Sequence, residues 1–446
     1  MALLIGCATG LAAFISLSGT TDSLRPSADA IRYLQYVVGL LRDGTFGLAT
    51  SDAGQVTQPG HENAPLYMAL IALLSAFDET SLAGFQCLIS SNNTLCALPL
   101  FGVHVLNAAL AAVTAAVSYL ISMHLIEVRW LSVLTALLVV FLDPVREQLS
   151  VIAPENLMLP LLFAVVLAHL KFSCNGGAGW IILMGLAMGL LILTRPSFVY
   201  LLYGYMAWFG ILFLWGRSRN RAIVVTAFGI STSVTIAPWI LRNGFVLDEF
   251  VLNGGNYAGI IFAQRLAYNS LSVAEWGASL IYWLPGFGND LAGILFGPRI
   301  STLLGWGPES LYGTAYDTIL YPSLSAAKDM DKVFSFLIYE MSVSQWIWHA
   351  IVSISLGLRG AYVGGELSLI AIAASLYWLL SDLRSGGNKW SILLLPMLFM
   401  LAFHAAVSIN IQRYNLFLIL PYCIALLYTA HDVVHRYRNR PTANAH

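Results

Sequence analysis

Charge is what this sequence is short of. Only 10% of its 446 residues are Asp, Glu, Lys or Arg, and lysine is down to four against 18 arginines. A chain that is 58% apolar, with a mean hydropathy of +0.75, cannot hide that surface in one water-soluble core. A net charge of −1 gives no electrostatic footprint for nucleic acid, and no such partner is expected. Cysteine is sparse too. Cys87 and Cys96 flank a short polar loop and are placed to bridge if that loop faces an oxidising compartment, whereas Cys7, Cys174 and Cys423 read as apolar filler. The same loop carries a glycosylation-type triplet at 92–94, a pattern common by chance. No basic segment precedes the first apolar run, which therefore reads as a retained span. No internal repeat is evident, and repeated halves are the usual mark of a transporter.

What is present is a series of apolar segments: 3–17, 100–120, 131–142, 157–170, 180–193, 198–215, 222–241, 367–380, 390–409 and 416–428. A hydrocarbon layer about 30 Å thick takes roughly 20 helical residues and offers no water to unpaired backbone groups, so the spans must be helices. The expected fold is an all-α polytopic membrane protein, a transmembrane bundle of about ten helices in three parts. A core occupies 1–241 and includes a first outer loop at 21–99; a large extracytoplasmic loop region follows at 242–366; C-terminal helices and a cytoplasmic tail fill 367–446. Basic clusters at 216–221, 384–389 and 435–440 fall on one side under this count and mark it as cytoplasmic. Counting 345–358 as a further span would put the last two clusters outside. Arg25, Arg32 and Arg42 in the first loop also oppose the count, but Asp22, Asp29 and Asp43 offset them and three basic loops outweigh one mixed one. In the first loop Ile31, Leu34, Val37, Val38 and Leu41 share one helical face, which predicts an interfacial helix. The apolar run 64–77 is too short to cross and is expected to be a second interfacial or re-entrant helix.

Ionisable groups beside spans are costly and commonly mark a pathway or a site. Here they gather on the outer side. Asp29 heads the first loop helix, with Tyr33 one turn on, and His61-Glu62 follows. Asp143, Arg146, Glu147 and Glu155 lie in FLDPVREQLSVIAPENL, Arg195 ends the fifth span, Arg242 ends the seventh, and Arg413-Tyr414 begins the tenth. Each has a plainer reading alone. Asp29 is a residue type that caps helices, Glu155 suits a helix N-terminus, and arginines at span ends snorkel to headgroups. His169 and His404, inside apolar spans, read as packing or interhelical hydrogen-bonding residues. The preference for arginine over lysine favours planar recognition of phosphate or carboxylate.

Taken in order, several short motifs resemble the GT-C glycosyltransferases, the broad group that contains the protein O-mannosyltransferases and the aminoarabinose transferases that modify lipid A. They are Asp29-Ala30-Ile31-Arg32-Tyr33, Gly44-Thr45-Phe46, Ala64-Pro65-Leu66-Tyr67, Thr194-Arg195-Pro196, the Pro-Trp-x-x-Arg-Asn of 238–243, Asn253-Gly254-Gly255 and Arg413-Tyr414. The resemblance implies a GT-C-like bundle and a polyprenyl-phosphate-linked sugar donor entering from the bilayer lipids. Transfer would go to a lipid, glycan or protein acceptor on the extracytoplasmic face, in a bacterial inner membrane with the site facing the periplasm or exterior. It implies Asp29 as catalytic base and Arg195, Arg242 and Arg413 as ligands of the donor phosphate. Tyr33, His61, Glu62, Glu155, Asn253 and Tyr414 would contact substrate. No cofactor is predicted; were a divalent metal used, Asp29, His61 and Glu62 are its ligand candidates.

The chain departs from the group at two points. Ala30 stands where the mannosyltransferases tend to have Glu, and His61-Glu62-Asn63-Ala64 lacks the lysine of the aminoarabinose transferases. Two other classes fit the composition: a transporter or lipid flippase, and a non-catalytic polysaccharide-assembly subunit that keeps the fold without the base. Charges at one membrane face rather than at mid-span argue against the first, and the presence of Asp29 argues against the second.

Overall fold

The computed structural model describes residues 1–18, 28–49, 57–91, 101–216, 219–254 and 256–438. Cys96, the 92–94 triplet, Gly255 and part of the 216–221 and 435–440 clusters lie outside them. The described residues form helices and connecting turns, with no strand among them. Seven helices are long and apolar enough to cross a membrane: Phe101–Ile126, Glu155–Asn175, Pro196–Leu214, Ala222–Leu247, Leu367–Arg384, Lys389–Val407 and Gln412–Tyr437. The protein is an integral, multi-pass membrane protein. The other three expected spans are shorter apolar helices, Ala2–Leu17, Arg129–Phe141 and Ala178–Thr194, packed against the long ones.

The bundle is held by close backbone approach, as expected where lipid removes the hydrophobic drive between helices. Gly185 and Gly189, one turn apart, face the helix Arg219–Leu247. A Cβ on Gly185 would lie 1.9 Å from Ser231 Oγ, and one on Gly189 2.5 Å from Thr235 Cβ. The Thr232 hydroxyl donates to the Gly185 carbonyl across this contact at 3.1 Å. Gly185→Val is therefore expected to push two helices apart and cost about 1–3 kcal/mol or more, read as a lower unfolding midpoint in detergent. An unchanged midpoint would show that this seam is not tightly packed.

One end of the bundle is tied by short polar links. Lys389 Nζ bonds Glu127 Oε1 at 3.2 Å, Asn388 Nδ2 donates to Ser173 Oγ at 2.8 Å, and His124 Nε2 meets Cys174 Sγ at 3.1 Å. Alternation of the helices puts Asp29, the 142–154 turn, Arg195 and Arg413 at the other end. The segment 256–361, within the loop region expected at 242–366, is helical throughout its length apart from short turns. Its last helix, Val343–Ala361, is not among those long and apolar enough to cross. His349 and Arg359 on it both reach the end of the Lys389–Val407 helix, at the Ala406 carbonyl (2.9 Å) and the Ile409 carbonyl (3.2 Å).

Two buried arginines fasten this cap without a carboxylate. Arg265, fully buried, donates to the carbonyls of Ala405 (2.7 Å) and His349 (2.9 Å) and to Ser353 Oγ (2.8 Å). Arg359 stacks between Trp283 and Trp306, 4.1 and 4.8 Å from the ring centres, a cation–π sandwich. Cys87 is disulfide-bonded, while Cys7, Cys174 and Cys423 are free.

Candidate active site

Asp29 stands in the first turn of the helix Ala28–Asp43, where the aligned peptide dipoles favour a carboxylate. Its apolar face, with Leu34, Val37 and Val38, is buried, so the helix is fixed while its N-terminal turn looks outward. Arg413 Nη2 donates to Asp29 Oδ2; both side chains remain partly open, at 38% and 49% exposure. The two share the wall of a cavity of about 340 Å³ with Tyr33, Glu147, Gln148, Ala153, Glu155 and Gln412. The cavity is small, mixed in polarity and placed at the end of the bundle.

Behind this wall lies a second ion pair. Arg195, in extended backbone just after the helix Ala178–Thr194, bonds Glu155 Oε1 at 3.2 Å. The Glu155 side chain is only 5% exposed and that of Arg195 17%. Glu155 is therefore engaged with a side chain across the bundle as well as heading its own helix. The Tyr414 ring links the two pairs, with Arg195 4.5 Å and Arg413 5.5 Å from its centre. Burial, then the Glu155 and Asp29 carboxylates, raise the Tyr33 phenol above its usual value, so at neutral pH it remains a hydroxyl able to donate.

Four asparagines and a tyrosine shape this wall from a distance. The Tyr67 hydroxyl donates to Asn107 Oδ1 (3.2 Å) and accepts from the Ala153 N–H (3.3 Å), while Asn107 Nδ2 donates to the Leu149 carbonyl at 2.8 Å. Asn156 Nδ2 donates to the Gln148 carbonyl at 3.0 Å. The turn that carries Glu147, Gln148 and Ala153 is thereby fixed by buried groups on three other helices. Tyr67→Phe leaves the Ala153 N–H and Asn107 Oδ1 without a partner and is expected to cost about 1–3 kcal/mol. Thermal unfolding of the purified variant checks this, and an unchanged midpoint would remove Tyr67 from the support. Arg413 and Tyr414 are held similarly. Asn415 Nδ2 donates to Asn410 Oδ1 (2.6 Å), and Asn410 Nδ2 to the Leu356 carbonyl (2.8 Å).

Of the residues singled out from the sequence, Asp29, Tyr33, Glu155 and Arg413 line one cavity, with Arg195 and Tyr414 directly behind. The others form a separate latch in the outer loops. Arg242 donates to the carbonyls of Gly60 (2.8 Å) and Phe46 (3.0 Å) and lies over Trp239. His61 Nε2 meets Glu249 Oε2 at 2.8 Å, and the Gly254 N–H donates to the His61 carbonyl at 3.0 Å. Glu62 accepts from the Tyr36 hydroxyl. Asn253 is exposed beside this latch. Among the described residues no three His, Cys, Asp or Glu side chains converge as metal ligands, and Asp29 is not brought to His61 and Glu62. Further down the same helix, Asp43 accepts from the Thr57 N–H at 2.9 Å. Hydrogen bonding from Arg42, then from Thr57, holds its carboxyl well below the usual range, so the clasp persists at neutral pH and weakens only as pH falls.

Glu147, noted in the sequence only as one of the outer-side charges, lines the cavity, as do Gln148 and Gln412, which were given no role. The signal that marks Glu147 is a carboxylate in the turn before Glu155.

No family model matches this chain, and no curated protein matches it. Among solved structures it is similar to ArnT from Cupriavidus metallidurans bound to undecaprenyl phosphate, with 14% identity over 96% of this chain and 78% of that one, at a TM-score of 0.39. It is also similar to the apo state of the same protein, with 14% identity over 96% and 77% and a TM-score of 0.40. With TM-scores below 0.5, neither likeness assigns a role to any residue of this chain.

Proposed function

We propose that this protein is an integral-membrane inverting glycosyltransferase that moves a sugar from a polyprenyl-phosphate donor to a lipid, glycan or protein acceptor on the extracytoplasmic face. The observation that carries the reading is the half-open carboxylate of Asp29, paired with Arg413 in a cavity at the end of apolar spans and backed by the Glu155–Arg195 pair. A donor with a long hydrocarbon tail and an anionic head needs such a place: apolar helices for the tail, and a cation at their end.

In this reading Asp29 Oδ takes the proton of the acceptor hydroxyl as that oxygen bonds to the anomeric carbon. The bond from that carbon to the donor phosphate oxygen breaks, and the polyprenyl phosphate leaves with the electron pair. A positioned carboxylate suits general-base catalysis. The leaving phosphate gains charge, and Arg413, whose Nε is buried without a hydrogen-bond partner, is the nearest guanidinium with donor capacity to spare. Arg195 adds positive charge from behind Tyr414, and Glu155 keeps it in place. Tyr33, as a hydroxyl, orients substrate. Arg242, bonded to two backbone carbonyls, acts as a positioning residue that holds the first loop over the bundle, with His61, Glu62 and Asn253 beside it. The basic clusters at the opposite end support an extracytoplasmic site.

The test is a panel of polyprenyl-phosphate sugars, each with its lipid tail labelled, offered to purified wild-type protein and to Asp29→Asn. Release of polyprenyl phosphate by the wild type alone supports the reading. Equal release by both removes Asp29 from catalysis. No release from any donor, with substrate carried across vesicles instead, favours a transporter.

A further inference from the structure

Arg413 sits in a short loop whose two ends are joined by asparagines. Asn410 and Asn415 stand on either side of Gln412, Arg413 and Tyr414 and are both fully buried, and Asn415 Nδ2 donates to Asn410 Oδ1 at 2.6 Å. Asn410 has a backbone φ of +48°, in the left-handed region that few residues besides glycine and asparagine enter without cost. Its N–H donates to Ser408 Oγ at 3.1 Å. Asn415 departs from helical geometry inside the turn Gln412–Leu418, and its Oδ1 accepts from His404 Nδ1 at 3.1 Å. One chain of hydrogen bonds therefore runs from the end of the span Lys389–Val407, past the loop that carries Arg413, to Asn410.

From Asn410 the chain passes into the cap. Asn410 Nδ2 donates to the Leu356 carbonyl at 2.8 Å, on the cap helix Val343–Ala361. Its carboxamide fills a notch left by a missing side chain, since a Cβ on Gly360 would lie 2.3 Å from Asn410 Nδ2. The cap also takes the carbonyls that a helix leaves free at its C-terminus. Ala405 accepts from Arg265, Ala406 from His349, and Ile409 just beyond the helix from Arg359. The backbone leading to Arg413 is thus held by cap groups at Ala405, Ala406, Ile409 and Asn410. The ion pair of Arg413 with Asp29, by contrast, joins side chains 38% and 49% exposed. Pairs so open to water contribute little, so the loop must set where the guanidinium stands.

We propose that Asn410 is a positioning residue for Arg413: by joining the cap helix to Asn415 it fixes the loop that carries the guanidinium to Asp29, and donor binding thereby depends on a docked cap. The second half rests on the reading of Arg413 as a ligand of the donor phosphate. Asn410 does not line the site cavity, and its effect passes through Arg413.

Asn410→Gly keeps the left-handed backbone and removes the side-chain bonds to both Leu356 and Asn415. The full chain in detergent is treated with phenylglyoxal, and labelling of Arg413 is followed by mass spectrometry, with Arg384, exposed at the opposite end of the bundle, as the internal reference. The Arg413 rate relative to Arg384 is expected to rise several-fold in Asn410→Gly. Gly360→Ala, which displaces the carboxamide from the cap side, should raise it as well, and it carries the test alone if Asn410→Gly does not fold. A ratio that stays at the wild-type value in the folded variants overturns the proposal. Titration with undecaprenyl phosphate reads the consequence. Affinity should fall about tenfold for Asn410→Gly on the wild-type background and less than about twofold on an Arg413→Gln background, because residues acting through one another are not additive. Equal losses on both backgrounds make Asn410 a general brace of the fold and also overturn the proposal. Should the wild type bind no undecaprenyl phosphate while the labelling ratio still rises, the placement of Arg413 by Asn410 stands and the glycosyltransferase reading falls.

Discussion

Asp29→Asn is expected to lower the rate of sugar transfer by about 100- to 10,000-fold, the range over which a positioned general base contributes, with little change in stability. The two halves of that statement come from different magnitudes. Asparagine keeps the shape and the hydrogen-bond-accepting oxygen of aspartate but cannot take up the acceptor's proton. The ion pair with Arg413 that it weakens is between side chains 49% and 38% exposed, and open pairs of this kind are worth about 0–1 kcal/mol. A role for Asp29 in merely holding Arg413 predicts otherwise: Asp29→Asn and Arg413→Gln would then lose activity to the same extent. Under the general-base reading Asp29→Asn reduces the chemical step while donor binding persists, and Arg413→Gln weakens donor binding as well. Single-turnover transfer with a labelled donor, alongside donor affinity by titration, separates the two. Transfer by Asp29→Asn within threefold of wild type would end the assignment of Asp29 as base.

The parts of this arrangement legible in the sequence share one property: they are charges at the ends of apolar helices. Asp29, Glu155, Arg195 and Arg413 each interrupt or border a hydrophobic run, and in so apolar a chain such a charge stands out without alignment. What was not legible depends on contacts between distant residues. Glu147 and Gln148 reach the cavity because Asn107, 42 residues away from its bonding partner Leu149, holds their turn, and nothing local encodes that bond. Arg242 looks like Arg195 in sequence, a lone arginine at a span end; only the carbonyls of Phe46 and Gly60, 196 and 182 residues away, distinguish it. The individual helices of the large loop region were not placed from the sequence for another reason. Its helices are short and Gly- and Trp-rich, so apolar periodicity is weak, yet Ser272–Glu275 and Ser342–Gln345 carry the Ser-x-x-Glu/Gln pattern of a capping box and both boxes form. That signal was present, and it marks helix starts independently of hydrophobic period.

Arg195→Met is expected to be the most destabilising single change at the site, by about 3 kcal/mol or more. Its partner Glu155 is 5% exposed, and removing one member of a buried pair leaves an uncompensated charge, at a typical cost of about 3–5 kcal/mol. The reverse change, Glu155→Gln, should cost less. The stranded arginine is 17% exposed and lies over the Tyr414 ring at 4.5 Å, so it retains some water and a cation–π partner. The double variant Glu155→Gln/Arg195→Met removes both charges, and loss of a whole buried pair is often close to neutral. Stability should therefore rank wild type, double variant, Glu155→Gln, Arg195→Met in descending order, read as unfolding midpoints in one detergent. Activity should rank differently. If Arg195 supplies charge to the departing phosphate, the double variant regains its fold without regaining transfer, and a gap between the two rankings is the signature of a role in the reaction. If transfer returns in step with stability, the Glu155–Arg195 pair is only a brace, and Arg413 is left as the one guanidinium acting on the donor.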